Sequence, residues 1–210
     1  LVGSEMCIRD RLMLYLDVEE DVLHPNKALE RLKKRGLEIH LAENLGPHTK
    51  VQWWIQNAPD FSRPHIIVDD DIFYPKWWLK RMLEAAKQEP TSIMAYRAHR
   101  IVLTDDKKGL TPYTSWPPAI KGPSLLNLAT GCSGVLLPPN FLQIMREAGD
   151  GFLETCPRAD DIWHAFQSIE HGVGIGLVTE ESIHFDMIPG SQEQALHTTN
   201  VSEQQNDVQL

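Results

Sequence analysis

The stretch His65-Ile66-Ile67-Val68-Asp69-Asp70-Asp71-Ile72 decides how this chain reads. Its first half is short, apolar and β-branched, and Pro64 bounds it, which predicts a buried strand. Three carboxylates follow where that strand ends and its loop begins. Open α/β sheets bind ligands at the carboxyl ends of their strands. Asp69 and Asp71, one residue apart, can aim oxygens at one hard cation such as Mg²⁺ or Mn²⁺. Asp70 points to the opposite side of an extended backbone. Such a cation can bridge a diphosphate and take up charge on a departing phosphate. The plain alternative is an acidic turn that caps the next helix.

Working outward, strands and helices alternate. Residues 12–16 read as a strand and 17–21 as an acidic loop. Asn26 caps a helix over 26–34, with Ala28, Leu29 and Leu32 inward and Gly36 as its stop. Leu37, Ile39 and Leu41 alternate with polar residues as a second strand. After the Gly46-Pro47 turn, residues 49–57 read as a helix with Val51, Trp54 and Ile55 on one face. Beyond the acidic triplet, Pro75 suits a helix start, and Trp78, Leu79, Met82, Leu83 and Ala86 form a stripe at helical spacing. Residues 93–96 are a further strand. Four alternations with short links predict an α/β fold, a mostly parallel central sheet with helices on both faces.

The order then changes. Residues 104–123 hold four prolines and two glycines, a long irregular segment of the kind that often serves as a functional lid. Residues 135–137 read as a strand, and Pro138-Pro139 opens a helix through Ala148. A helix over 162–171 and a strand over 173–178 follow. From Ser191 the chain is polar and reads as a frayed or truncated helix. Residues 12–210 read as one domain without repeats.

The totals narrow the function. A formal net charge of -9 and a pI near 5.4 argue against a general nucleic-acid or anionic-membrane binder. Three cysteines, Cys7, Cys132 and Cys156, suit a reduced compartment better than a disulfide framework. No apolar run has transmembrane length. Residues 1–11 resemble a translated sequencing-adapter artefact and are set aside, so the chain reads as a fragment at both ends.

Three further constellations carry chemistry. Asp160-Asp161 stand at a predicted helix start, where one Asp suffices as a cap and the other is free to act as a general base. Arg97-Ala98-His99-Arg100 can pair with phosphate, with the acidic triplet, or form an ordinary salt-bridge face. In Thr130-Gly131-Cys132-Ser133-Gly134 the glycines either let the backbone approach a ligand or make a tight turn. No phosphate-loop Lys-Ser/Thr, GxGxxG, HExxH or GxSxG occurs.

In this order, Ile67 to Pro75, Tyr96 to Ile101, Thr130 to Pro139 and Cys156 to Trp163 resemble bacterial glycosyltransferases of the GT-A fold, of the family-two-like kind found in cell-surface polysaccharide loci. Residues 33–39 and 45–50 fit as well. The resemblance implies a Rossmann-related fold, a nucleotide-sugar donor, a glycan or other hydroxyl acceptor and Mn²⁺ or Mg²⁺. It puts Asp69 and Asp71 on the family's D-x-D positions and Asp161, with Asp160 beside it, where inverting members keep their base. Lys50, Asp69, Asp70, Arg97, His99 and Arg100 are then expected on the donor side, and Gly131, Gly134 and Trp116 toward the acceptor. The enzyme would be cytoplasmic, or peripheral at the inner face of the membrane. Two departures stand out. The family's first strand and nucleoside-binding loop should precede Leu12, and Cys132-Ser133 stand where another Gly is expected. The competing readings are a non-catalytic sugar- or nucleotide-binding module and a nucleotidyltransferase; the latter would need a basic Gly-rich loop near the N-terminus, and none is seen.

Overall fold

The structure is a computed structural model and describes residues 11–191 and Asp207. The polar stretch read as a frayed helix beyond Ser191 lies outside these residues, apart from Asp207. The described chain is α/β, with seven α-helices and mixed sheets. Strand β1 (Leu12–Leu16) pairs in parallel with β2 (Leu37–Leu41), joined through α1 (Glu19–Leu23) and α2 (Lys27–Lys33). Helix α3 (Gln52–Asn57) then leads to the central sheet. That sheet has the order β3 (His65–Ile67), β7 (Val135–Leu137), β4 (Ile93–Ala95), β8 (Ile175–Leu177).

The central strands alternate between two cores, as period-two geometry requires. Ile67, Ile93, Ala95, Val135 and Leu137 face one core with Phe141, Leu142 and Met145 of α5 (Pro139–Ala148). Ile162 and Trp163 of α7 (Asp160–Glu170) and Phe152 of α6 (Phe152–Thr155) complete it. Leu136, Met94 and Tyr96 face the other core with Trp78 and Met82 of α4 (Trp78–Gln88). Each large side chain so buried stabilises the fold by roughly 1.5–3 kcal/mol. Helices therefore cover both faces, and the apolar stripe of α4 lies where its spacing puts it.

The expected mostly parallel sheet is instead mixed. Strand β7 runs antiparallel to both β3 and β4, and only β4 with β8 is a parallel ladder. The physical reason lies in the connection. Chain enters β7 from a tight turn, after β5 (Ala98–Arg100) and β6 (Asn127–Ala129) pair with each other, and no crossover helix reverses it. Since β3, β4 and β8 share one direction, their carboxyl ends and the entry to β7 lie at one edge. Asp69, Arg97 and Gly131 all leave or enter the sheet there.

Local departures have local causes. The acidic loop of residues 17–21 is partly helical as α1, which has three acids in its first turn, where the helix dipole favours them. Asn26 caps α2 as expected, accepting from the N–H groups of Ala28 and Leu29, and Gly36 takes φ +95° at its end. Ala28 and Leu32 nevertheless stay exposed, since α2 buries no residue. Arg11, within the segment set aside, forms an ion pair with Glu38 of β2.

Candidate functional site

The acidic triplet is held by its neighbours on both sides. The Asp69 N–H donates to the Tyr74 hydroxyl at 3.0 Å, and the Tyr74 ring packs on Trp78 at 4.7 Å. The Asp71 carbonyl accepts from the Ile188 N–H at 2.7 Å, and the Phe73 N–H donates to the Asp186 carbonyl at 2.9 Å. The loop after β3 is thus stapled to residues 186–188. Asp70 stays exposed at the outer side of the turn.

Lys50 ends a 3-10 turn, Gly46–Lys50, and arrives from the opposite side. His48 anchors that turn: it is buried, its Nε2 lies 2.9 Å from the Cys156 carbonyl, and its ring stacks on Phe152 at 4.0 Å. From there the Lys50 Nζ reaches to 2.6 Å from Asp69 Oδ1 and 4.0 Å from Asp160 Oδ2. The Gly131 N–H donates to Asp161 Oδ1 at 3.0 Å. A Cβ on Gly131 would stand 3.7 Å from Lys50 Nζ and 3.5 Å from that same oxygen. Four separate segments thus converge on one charged cluster.

Neither Asp of α7 is its N-cap, which corrects the expectation that one of them caps. Ala159 holds the N-cap position without a side-chain bond, and Asp160 and Asp161 are the first two helical residues. Their carboxylates are turned to the cluster instead, although both still gain from the helix dipole.

The electrostatics follow from crowding. Burial alone would lower the Lys50 pKa, but Asp160, Asp69 and Asp161 outweigh it and raise it, so the ammonium stays charged. Burial and then Asp160 push the Asp161 carboxyl well above the ordinary range, against the pull of Lys50 and the Gly131 N–H. Asp161 keeps a partly accessible edge, while Asp160 is almost wholly covered. One turn further along α7, burial pushes His164 down to about 4, although Asp160 opposes this.

A second group adjoins the first. Arg97 Nη1 donates to Thr130 Oγ1 at 3.0 Å and lies 3.4 Å from Cys132 Sγ. His184 Nδ1 is 3.6 Å from the same sulfur. Tyr113, from the irregular segment, is pushed up to about 12 by burial and then by the Asp161 charge. Sequence reasoning missed Tyr74, Tyr113 and His184. No motif surrounds them, and only the long-range fold brings them in.

Other expected residues lie apart from the cluster. Trp116 is 5% exposed, belongs to the main core, and donates its Nε1–H to the Thr111 carbonyl at 3.0 Å. It braces the irregular segment rather than facing an acceptor. Gly134 has φ +93°, and a Cβ there would come 2.4 Å from Trp78 Cζ2, so its role is packing. His99 meets Tyr113 edge-on at 5.5 Å, and the Arg100 N–H donates to the Pro117 carbonyl. Two clefts open elsewhere. One, by Ser92, Asn140 and His171, lies at the amino ends of β4 and β8, and the other borders residues 107–112.

Among the described residues no group of three or more His, Cys, Asp and Glu gathers to hold a metal unaided. Asp69 and Asp71 offer oxygen, and an ammonium already rests against Asp69. Mg²⁺-type ions commonly take one or two carboxylates and complete their shell with water and phosphate oxygens. No helix among the described residues is long and apolar enough to cross a membrane. No protein-family model matches this chain, and no curated protein matches it either.

Proposed function

We propose that this chain is a glycosyltransferase-like domain that moves a sugar from a nucleotide-sugar donor to an acceptor hydroxyl with inversion. One observation carries the reading: Lys50, Asp69, Gly131 and Asp160-Asp161, from four segments that resemble GT-A enzymes in their order, meet in one cluster. In this reading Asp69 and Asp71 hold Mn²⁺ or Mg²⁺, which when bound neutralises charge on the donor's diphosphate. In this reading Arg97 and His184, both beside Cys132, would meet anionic oxygens of the donor.

Asp161 is the general base. Its raised pKa makes it a stronger proton acceptor than an ordinary carboxylate, and Lys50 helps keep it ionised. It takes the acceptor hydroxyl proton as the oxygen bonds to the anomeric carbon. The donor's glycosidic C–O bond breaks, and nucleoside diphosphate leaves with the electron pair. Asp160, nearly covered, positions Lys50. The setting in this reading is the cytoplasm or the inner membrane face.

One feature favours a non-catalytic binding module instead: the cluster is partly neutralised by its own Lys50. Incubation with a panel of nucleotide sugars and simple glycoside acceptors separates the two. Release of nucleoside diphosphate with formation of a glycosylated product supports transfer. Donor binding without turnover supports the module.

A further inference from the structure

A cleft of about 490 Å³ opens at the amino ends of β4 and β8, at the sheet edge opposite the charged cluster. That size falls within the roughly 300–1,000 Å³ of small-molecule sites. Four polar groups that line it have no partner among the described residues. Ser92, 7% exposed, stands just before β4 with a hydroxyl that makes no hydrogen bond, and the Thr91 hydroxyl beside it makes none either. Asn140 donates from its amide to the Thr91 carbonyl at 3.1 Å, which leaves its Oδ1 free. His171 Nδ1 lies 3.0 Å from the Gln167 carbonyl, so Nδ1 donates and Nε2 of the neutral ring is left as an acceptor. Polar groups as buried as Ser92 are normally paired, so these mark where a ligand's own polar atoms would be met. The other wall is apolar, formed by Pro123, Leu125 and Val173. It is fixed against β8: Ser124 and Ile175 exchange backbone hydrogen bonds at 3.1 Å, and a Cβ on Gly174 would come 2.8 Å from Pro123 Cβ. No Lys, Arg, Asp or Glu among the described residues lines the cleft. The amino end of α5, at Asn140, and the carboxyl end of α7, at His171, both border it, and their opposed dipole ends favour neither sign of charge.

We infer that this cleft is a binding site for a neutral, polyhydroxylated ligand of one or two pyranose rings, separate from the charged cluster. Sugar hydroxyls both donate and accept, which two protein hydroxyls and two free acceptors match. The C–H face of a pyranose would lie on Pro123, Leu125 and Val173. A phosphate or nucleotide would instead meet two acceptors and no cation. The site stands whether or not the charged cluster transfers sugar.

The test follows the imidazole NMR signals of His171 in the full chain, assigned with His171→Gln. Methyl glucopyranoside, methyl galactopyranoside and methyl mannopyranoside are added one at a time. At least one is expected to shift His171 saturably, with a millimolar Kd. Ser92→Ala and Asn140→Leu should each weaken that binding about two- to tenfold, as the loss of one hydrogen bond does, with melting still cooperative. Asp69→Asn should leave it unchanged, and inorganic phosphate should give no saturable shift. If one cleft variant does not fold, the other decides. No saturable shift with any of the three glycosides overturns the inference. So does undiminished binding in the folded cleft variants, binding that Asp69→Asn abolishes, or a saturable response to phosphate alone. Sugar transfer can fail while this binding holds, and this binding can fail while transfer persists, so the two readings fall separately.

Discussion

Gly131 donates its backbone N–H to Asp161 Oδ1 at 3.0 Å, which ties the turn before β7 to the first turn of α7. Asn at position 161 keeps an acceptor oxygen for that bond and loses the charge. Asp161→Asn is therefore expected to fold normally and to lose about 10²–10⁴-fold in transfer rate, the usual contribution of a positioned base. Stability carries a second signature. Burial and Asp160 raise the folded pKa of Asp161 above its unfolded value, so its contribution is full at low pH and is lost as pH rises through the folded pKa. Asp161→Asn should thus melt higher than the unchanged protein near pH 7, with the gap closing as pH falls toward the ordinary carboxylate range. Thermal melts across pH check this, and a gap that widens on acidification contradicts it.

His164 and His65 predict the acid limit. Burial pushes each from 6.5 down to about 4, and His65 also stacks on Trp54 at 4.2 Å. A histidine with a depressed folded pKa contributes stability that is present above 6.5 and is lost as pH falls to about 4. For His164 the displacement corresponds to roughly 3 kcal/mol. His164→Gln should flatten the loss of stability between pH 6.5 and 4, as read by denaturant melts; an unchanged slope counts against neutral burial of this ring.

Gly134→Ala is expected to destabilise by about 2–4 kcal/mol, from a strained positive φ together with overpacking. The new Cβ would meet Trp78 at 2.4 Å, and Trp78 also donates its Nε1–H to the Ser133 carbonyl, so it has little freedom to yield. Denaturant unfolding checks this. A loss of ligand binding at unchanged stability would return Gly134 to the site.

Trp116→Ala should cost about 3–5 kcal/mol, as other large core truncations do. Trp116 packs in the main core and holds Thr111 through its indole N–H. If the irregular segment were a free lid, this variant would change turnover and leave the melting temperature intact.

Several features were legible in the sequence because they are local. Pro138-Pro139 and the apolar stripe of residues 141–145 mark α5, and the β-branched run before Asp69 marks β3. The Asn26 cap is carried by one side chain and its next three residues. What escaped is long-range. Strand direction is absent from a period-two pattern, so the insertion of antiparallel β7 into the sheet could not be read there. Strands β5, Ala98-His99-Arg100, and β6, Asn127-Leu128-Ala129, lack the apolar run that marks the other three-residue strands. Asp160 and Asp161 were found as a pair, but a helix start displaced by two residues turned a cap into two residues facing the cluster. Lys50 was expected on the donor side. Its contact with Asp69 spans nineteen positions and becomes visible only once His48 is anchored on α6.

The most direct test of the central claim is calorimetric titration of nucleoside diphosphates in the presence of Mn²⁺, comparing the unchanged protein with Asp69→Asn. The account predicts that at least one nucleoside diphosphate binds the unchanged protein only with Mn²⁺ present, and that Asp69→Asn weakens this at least about tenfold while melting stays cooperative. Binding that is indifferent to Mn²⁺ and to Asp69→Asn, or no binding of any nucleoside diphosphate, would contradict it.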